Sequence, residues 1–181
     1  MPLIDEQFIK DMKQSLADQK DNTHFLCENS EQAKQAHNKI LRLVNVRERS
    51  VSEMWTRLID EGFEEEVVEE ALKRACNCGI IDDLRFAACL IRSRLAAGKG
   101  VFGIGKELER HGIATEELDE ATSELLPSAE SELARALAIL QQKPPQAKNK
   151  REGAYRRLVS KGYAPSTAGE AARLWHDEYL N

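Results

Sequence analysis

The segment Leu58-Ile59-Asp60-Glu61-Gly62-Phe63 decides the fold, because its pattern returns twice at intervals of fifty residues. Residues 108–113 and 158–163 again place a leucine four positions before a glycine, which an apolar or aromatic residue follows. A Glu-Ala pair then stands eight and nine residues after each glycine. Four identical columns in three ungapped copies indicate an internal structural repeat.

Each copy of the repeat is predicted to be helical. Glycine accepts the left-handed conformation that ends many helices, so each repeated glycine marks a helix end and each leucine lies on that helix's inner face. Between Pro2 and Pro127 the chain contains no proline, and proline is the residue that interrupts helices most strongly. Apolar residues recur at intervals of three and four, as in the stripe Val67, Val68, Ala71, Leu72 and Ala75. We find no alternating strand pattern, and the predicted fold class is all-α.

The period divides the chain into three repeats of three helices each, over residues 34–81, 82–127 and 128–181. In the first we predict helices over 31–46, 51–61 and 64–78, with Ser50 and Glu53 forming a capping box. In the second they run over 83–97, 101–111 and 115–126. The third breaks at Lys143-Pro144-Pro145 and resumes over 148–161 and 166–180. Because three short helices bury little alone, the repeats are expected to stack.

Residues 1–33 lie outside the period and form an acidic extension. Ile4, Phe8, Ile9, Met12 and Leu16 are spaced as on one amphipathic helix, and 18–30 read as a loose linker.

The composition is that of a globular protein, with 181 residues, 41% of them hydrophobic and 31% charged. No apolar run approaches the roughly 20 residues of a membrane span, and no secretory leader is recognisable. The four cysteines lack the spacing of a zinc site or a disulfide framework. We therefore expect a soluble cytoplasmic protein with reduced thiols.

The net charge of −5 hides a strong alternation along the chain. Residues 34–60, 84–112 and 133–161 carry +3, +4 and +7, whereas 61–83, 113–132 and 162–181 carry −6, −7 and −2. A uniformly basic coat for nucleic acid is excluded. Two interpretations stay open: solvated helix faces, or a bipolar surface for a partner.

The candidate contact residues are the cations of the basic segments. Arg85, Arg92 and Lys99 are seven residues apart and are expected to lie in line along one helix. Tyr155, amid the densest cluster, is either a stacking platform for a base or an arginine, or a half-buried core tyrosine. The full set is Arg47, Arg49, Arg85, Arg92, Lys99, Lys106, Lys148, Lys150, Arg151, Arg156, Arg157 and Lys161.

Motifs typical of nucleotide binding near residue 100 are not convincing. Residues 98–103 match a dinucleotide fingerprint and 100–106 match most of a phosphate loop, but both motifs require a preceding strand. We expect these glycines to join two helices instead. His111 is predicted to be a surface residue, and Asp82-Asp83 to cap the following helix. No residues form a recognisable catalytic or metal site, so the chain is predicted to be a non-enzyme without cofactor or metal.

The residues also resemble a known family. Arg47-Glu48-Arg49-Ser50, with Glu53, Leu58 and Gly62-Phe63, looks like the first repeat of RecX regulatory proteins. The segment 79–87, Gly-Ile-Ile-Asp-Asp-Leu-Arg-Phe-Ala, is similar to that family's most specific signature. Gly98-Lys99-Gly100, Ile104, Glu107-Leu108 and Gly112-Ile113 continue the resemblance, which spans about residues 35 to 178. At Val101, Phe102 and Gly103 this chain departs from the proline and basic residues of many relatives.

The resemblance implies tandem three-helix units in an elongated, curved molecule that binds the RecA recombinase and its filament on single-stranded DNA. It implies restraint of ATP hydrolysis, strand exchange and co-protease activity in recombination and DNA repair. The bipolar charge pattern fits this expectation, because an elongated bipolar molecule could lie in a filament groove, touching protein and, as a further option, DNA phosphates. Two alternatives remain: a DNA-binding module, or a helical scaffold for another protein, each acting independently of RecA.

Overall fold

The computed structural model describes residues 31–179, with side chains up to residue 178. Within this range the protein is all-helical and contains no strand, as the sequence predicts. The expected amphipathic helix over residues 4–16 and the linker over 18–30 lie outside the described residues. The helices are α1 Glu31–Val44, α2 Val51–Asp60, α3 Glu65–Asn77, α4 Asp83–Ala96, α5 Val101–Arg110, α6 Glu120–Ser123, α7 Ala129–Gln142, α8 Lys150–Ser160 and α9 Pro165–Tyr179.

The observed helix ends agree with the predicted ones to within about two residues wherever a capping residue or a glycine marks the end in the sequence. The Ser50 hydroxyl accepts a hydrogen bond from the Glu53 N–H at 3.1 Å and starts α2. The Asp82 carboxylate accepts from the Leu84 and Arg85 N–H groups at 2.9 and 3.0 Å and starts α4, as predicted. The repeated glycines 62, 112 and 162 have φ values of 88°, 67° and 86°, which confirms their role as left-handed helix ends.

The prediction of one helix over 115–126 is wrong. A 3₁₀ turn over Thr115–Glu117 is followed by extended backbone at Leu118 and Asp119, with ψ values of 137° and 164°. The Asp119 carboxylate accepts a hydrogen bond from the Thr122 N–H at 3.0 Å and so starts the new helix α6. Hydrogen bonds from Thr122 also hold the pKa of Asp119 below its ordinary value. A short polar side chain here competes with the helical ladder and divides it.

By their contacts the described residues fall into two compact units. The first comprises residues 31–86 together with His111–Ile113. In it α3 packs against both α1 and α2. Its core joins Ala36 and Ile40 of α1, Met54 and Leu58 of α2, and Leu72 of α3, all fully buried.

The second unit comprises Ala87–Arg110 and 114–179. In it α9 packs against α7 and α8 around Leu140, Leu158, Tyr163 and Trp175. Helices α4 and α5 are tied by Arg94, whose guanidinium donates to the Glu107 carboxylate at 2.5–3.0 Å. That bond also raises the pKa of Arg94.

Candidate partner-binding surface

Two of the candidate cations, Arg47 and Arg49, form hydrogen bonds within the first unit. Both guanidinium groups donate hydrogen bonds to the Glu53 carboxylate, with Arg47 Nη1 lying 3.0 Å from Glu53 Oε2. Arg49 is only 16% exposed, and its Nε also points at the Leu43 carbonyl. These two arginines brace the start of α2, so a partner would reach Arg47 more easily than Arg49.

Arg85 closes the turn between α3 and α4. Its Nε donates to Glu48 at 2.6 Å, and its Nη atoms donate to the carbonyls of Gly79 and Ile80 at 3.2 and 3.1 Å. The five N–H donors of a planar guanidinium suit such a bridging role. The arginine of the family-like segment 79–87 is therefore a structural residue of the first unit, although its side chain remains 43% exposed.

The predicted line of Arg85, Arg92 and Lys99 along one helix is wrong at Lys99. Helix α4 ends at Ala96, and Gly98 takes a φ of 71°, so Lys99 stands in the turn that follows. Arg92 and Lys99 are both exposed, and within residues 31–179 no carboxylate pairs with either side chain. They are available to an external anion.

Lys106 lies on α5 above an exposed aromatic ring. Its Nζ stands 4.4 Å from the centroid of Phe102, which is 47% exposed. This is a cation–π contact at the surface, worth about 0.5–1 kcal/mol. Phe102 belongs to the short segment in which the chain departs from the family pattern.

The cations of the dense cluster around α8 fall into two groups. Some form hydrogen bonds within the chain and are called engaged here, and the others, called unengaged, form none within residues 31–179. Lys150 donates to the Pro145 carbonyl at 3.2 Å, Arg156 to Glu152 at 2.5 Å, and Arg157 to the Lys143 carbonyl. The half-buried Lys161 lies beside the Gly98 turn. Lys148 and Arg151 are exposed and have no carboxylate partner in the described part of the chain.

Two apolar side chains share the outer surface of α8 with Arg151. Tyr155 is 36% exposed and Val159 is 40% exposed. Residues four apart on a helix are neighbours, so Arg151, Tyr155 and Val159 form one line, which we call the α8 stripe. Tyr155 is not part of the buried core of the second unit, which favours the stacking role over the half-buried core position. The stripe combines a cation with apolar surface, as protein contact sites commonly do.

The glycine segment 98–103 is not a phosphate loop. The Gly100 N–H donates to the Lys161 carbonyl at 3.1 Å and the Gly103 N–H to the Gly162 carbonyl at 2.7 Å. The Val101 N–H donates to Glu132 Oε1 at 2.7 Å. Because protein acceptors occupy these amides, they are unavailable to an anion. As predicted, the glycines join two helices, α4 and α5.

Sequence reasoning missed the residues that hold this turn. Glu132 is almost fully buried where it caps α5, and Arg135 donates to the Leu95 carbonyl at 2.8 Å. The period offered a signal that is one residue out of register, because Glu132 stands 49 residues after Asp83. In the first unit, Asp83 Oδ1 accepts from the Val51 N–H at 2.9 Å in the same manner.

The prediction that His111 is a surface residue is also wrong. Its Nδ1 shares a 2.9 Å hydrogen bond with the buried Ser50 hydroxyl, and its ring centroid lies 4.8 Å from that of Phe86. His111 is therefore a half-buried structural residue of the first unit.

Two kinds of feature are absent from residues 31–179. No group of three or more histidine, cysteine or acidic side chains in this range is placed to hold a metal ion. None of the described helices is long and apolar enough to cross a membrane. Cys76, Cys78 and Cys89 are free thiols, and the last two are exposed.

Comparison with protein families gives two matches in succession. A model described as RecX, first three-helix domain, matches residues 36–74, and one described as RecX, second three-helix domain, matches residues 82–121. These ranges lie within residues 34–81 and 82–127, the predicted first and second repeats.

Named relatives agree with these matches. The regulatory protein RecX of Mycolicibacterium smegmatis is 39% identical over 104 residues, which cover 57% of this chain and 55% of that protein. RecX of Mycobacterium sp. strain KMS is 36% identical over 104 residues, 57% of each chain. RecX of Prosthecochloris aestuarii is 28% identical over 135 residues, 74% of this chain and 89% of that protein. The matched part thus spans little more than half the length of the first two relatives.

Two crystal structures share the fold. RecX from Lactobacillus salivarius superposes with a TM-score of 0.64 at 16% identity, over 80% of this chain and 97% of that one. A second regulatory protein RecX gives a TM-score of 0.61 at 21% identity, over 97% and 79%. The two superpositions show a shared helical-repeat fold, and at identities this low they show the fold alone.

Proposed function

We propose that this chain is a regulatory protein of the RecX family and that the partner it regulates is the RecA recombinase in its filament on single-stranded DNA. The observation that carries the proposal is the succession of two RecX domain matches in the order and spacing of the repeats. Binding would lower ATP hydrolysis by RecA and, with it, strand exchange and co-protease activity. The chain acts by contact and performs no catalysis of its own.

The α8 stripe and the unengaged cations support a contact with a partner that is acidic in part. Arg151 can pair with a carboxylate or a phosphate, while Tyr155 and Val159 offer apolar surface beside it. Aromatic residues and arginine are enriched where interfaces bind most strongly. Arg92 and Lys99 offer a second cationic position in the same unit. Arg49 and Arg85, in contrast, are proposed to contribute through the first unit's stability.

The test measures ATP turnover by RecA on single-stranded DNA while this protein is added. We expect turnover to fall with concentration and to level off near stoichiometric amounts. The double variant R151E/Y155A should need at least about tenfold more protein for the same inhibition, which corresponds to about 1.4 kcal/mol of binding. R173E is the matched control, because Arg173 is an exposed arginine of α9, which pairs with Asp177 at 3.6 Å and lies outside the α8 stripe.

Two outcomes would count against the proposal. Unchanged ATP turnover at stoichiometric excess would remove RecA as the partner, and a pull-down from cell extract would then look for another protein. An equal loss of inhibition in R151E/Y155A and R173E would show that the α8 stripe is not the contact surface.

A second candidate function is direct binding of single-stranded DNA without RecA. It is favoured by the exposed Tyr155, which stands beside Arg151 and can stack on a base. Fluorescence anisotropy with a labelled oligonucleotide tests it, and affinity should fall steeply as salt rises from about 50 to 200 mM. Millimolar affinity at low salt would eliminate this function and leave the RecA proposal intact.

A further inference from the structure

The start of α2 is covered by residues that the fifty-residue period assigns to the second repeat. The Val51 N–H donates to Asp83 Oδ1 at 2.9 Å, and the Ser50 hydroxyl shares a 2.9 Å hydrogen bond with His111 Nδ1. All four residues belong to the first unit. Two pieces of the next repeat therefore close α2, namely the acidic first turn of α4 and the residue that follows α5.

The start of α5 is covered in the same way within the second unit. The Val101 N–H donates to Glu132 Oε1 at 2.7 Å, and Glu132 lies in the first turn of α7. The Gly100 N–H donates at 3.1 Å to the carbonyl of Lys161, the residue that follows α8. In both repeats the middle helix thus receives, at its first residue, a carboxylate from the first helix of the next repeat.

The three middle helices α2, α5 and α8 can be aligned residue by residue. Shifts of fifty residues place Met54 on Ile104 and on Ala154, and all three side chains are buried. The exposure of each α8 residue can therefore be compared with that of its counterpart in α2.

The α8 stripe occupies positions that the first repeat covers. Arg151 and Tyr155 correspond to Val51 and Trp55. Val51 and Trp55 are 4% and 5% exposed and belong to the core of the first unit, whereas Arg151 is exposed and Tyr155 is 36% exposed. Within residues 31–179 no carboxylate meets Arg151 as Asp83 meets Val51. The stripe is thus the one of these two equivalent surfaces that the described chain leaves open.

The covering helices of the earlier repeats indicate what fits such a surface. Each has a carboxylate in its first turn and a buried apolar residue three or four positions later, Asp83 with Phe86 in α4 and Glu132 with Ala136 in α7. Residues at this spacing share one helix face. Arg151 replaces the valine of the other two repeats and adds a cation where the carboxylate arrives. Pairing with arginine strengthens a carboxylate's hydrogen bonds.

A second copy of this chain lacks the matching carboxylate. Its α1, as the first helix of the first repeat, would take the place of α4 and α7. The two positions that carry the carboxylate in those helices are Ala33 and Gln32 in α1, and neither is charged. The adjacent Glu31 accepts a hydrogen bond from Gln35 at 3.3 Å. The stripe therefore fits a helix of another protein better than it fits another copy.

We propose that the α8 stripe receives one helix of the regulated protein, which sets a first-turn carboxylate on Arg151 and an apolar side chain on Tyr155, as α4 and α7 cover the earlier repeats. The identity of that protein, RecA, rests on the proposed function. The docking adds the kind of element on RecA that is bound.

Photo-cross-linking to RecA filaments on single-stranded DNA tests the docking. p-Benzoylphenylalanine replaces Glu152, which lies beside Arg151 and has a side chain 52% exposed, although its counterpart Ser52 is buried. We expect irradiation to join this position to a RecA helix that has Asp or Glu in its first turn. The same replacement of Arg173, an exposed residue of α9, is the matched control and should give no cross-link.

A charge exchange then tests the pairing itself. R151E should need at least about tenfold more protein for the same inhibition of ATP turnover by RecA. Replacing the carboxylate of the cross-linked RecA helix by arginine should restore most of that loss, as two coupled residues do in a double-mutant cycle. R173E should gain nothing from the same RecA variant.

Failure of the docking and failure of the proposed function give different results. If the unmodified protein leaves ATP turnover unchanged, RecA is not the partner, and the docking falls together with the proposed function. If inhibition is intact, the docking alone is overturned by a cross-link to a RecA surface without a carboxylate, to DNA or to a second copy, and by the absence of any cross-link. Failure of the RecA arginine variant to rescue R151E overturns it as well.

Discussion

Gly103 and Gly162 meet backbone to backbone, and the Gly103 N–H donates a 2.7 Å hydrogen bond to the Gly162 carbonyl. One residue stands in the first turn of α5 and the other just after the end of α8. The second unit depends on this close approach, because a β-carbon at Gly103 would lie 2.7 Å from Gly162 Cα. At Gly100 the added carbon would lie 2.5 Å from the Gly162 carbonyl oxygen.

Gly103→Ala is expected to lower the free energy of unfolding by about 1–3 kcal/mol, because backbone must move to admit the methyl group. Urea denaturation measures the change. Gly105→Ala is the matched control on the same helix, since its β-carbon meets only Thr115 Cγ2 at 3.7 Å. The control should be neutral or stabilising by about 0.5–1 kcal/mol, as alanine is the better helix former. Equal destabilisation in both variants would contradict the close contact.

Glu132→Ala should cost about 1–2 kcal/mol of unfolding free energy, because it removes the carboxylate that accepts from the Val101 N–H at 2.7 Å. Glu130→Ala changes an exposed acid in the first turn of the same helix and should cost about 0.5 kcal/mol or less. Denaturant titrations of both variants in the same buffer measure the two unfolding free energies. If Glu130→Ala destabilised the protein as much as Glu132→Ala, the destabilisation would come from removing a negative charge near the helix start and not from losing the Val101 hydrogen bond.

Ser50→Ala should destabilise more than Ser128→Ala, although both serines cap a helix. Ser50 is fully buried and holds the Glu53 N–H and His111 Nδ1, whereas Ser128 is exposed and accepts from the Ser131 N–H at 3.3 Å. We expect about 2 kcal/mol for the first change and about 0.5–1 kcal/mol for the second. Thermal unfolding of the two variants tests this order, and a reversed order would contradict it.

Tyr163 is expected to make the protein less stable at high pH. Burial raises the pKa of its hydroxyl, and the nearby Arg135 opposes that rise. The unfolded chain loses this proton near pH 10 while the folded chain retains it, so the stabilisation is complete below pH 10 and declines above it.

Absorbance at 295 nm and urea unfolding, at about pH 9 and about pH 11, check this expectation. Tyr163→Phe should reduce the loss of stability at high pH and be neutral or slightly stabilising at pH 7, because the buried hydroxyl has no hydrogen-bond partner of normal geometry in the described chain. Tyr155→Phe, at an exposed tyrosine, should leave the pH dependence unchanged. A pH profile that is identical in Tyr163→Phe and the unmodified protein would refute the assignment.

The sequence by itself determined the helical class, the period of fifty residues and most helix ends. These depend on contacts within a few residues, such as the Ser50 cap of α2 or the left-handed Gly62, and a local pattern records local contacts. The tertiary structure decided which charges are engaged. Arg49 and Arg85 differ from Arg92 and Arg151 only through their surroundings, including an acid 37 residues from Arg85. The tertiary structure also decided that Gly100 and Gly103 pack against backbone about sixty residues further along the chain. No short sequence pattern relates residues that far apart, so only packing reveals this contact.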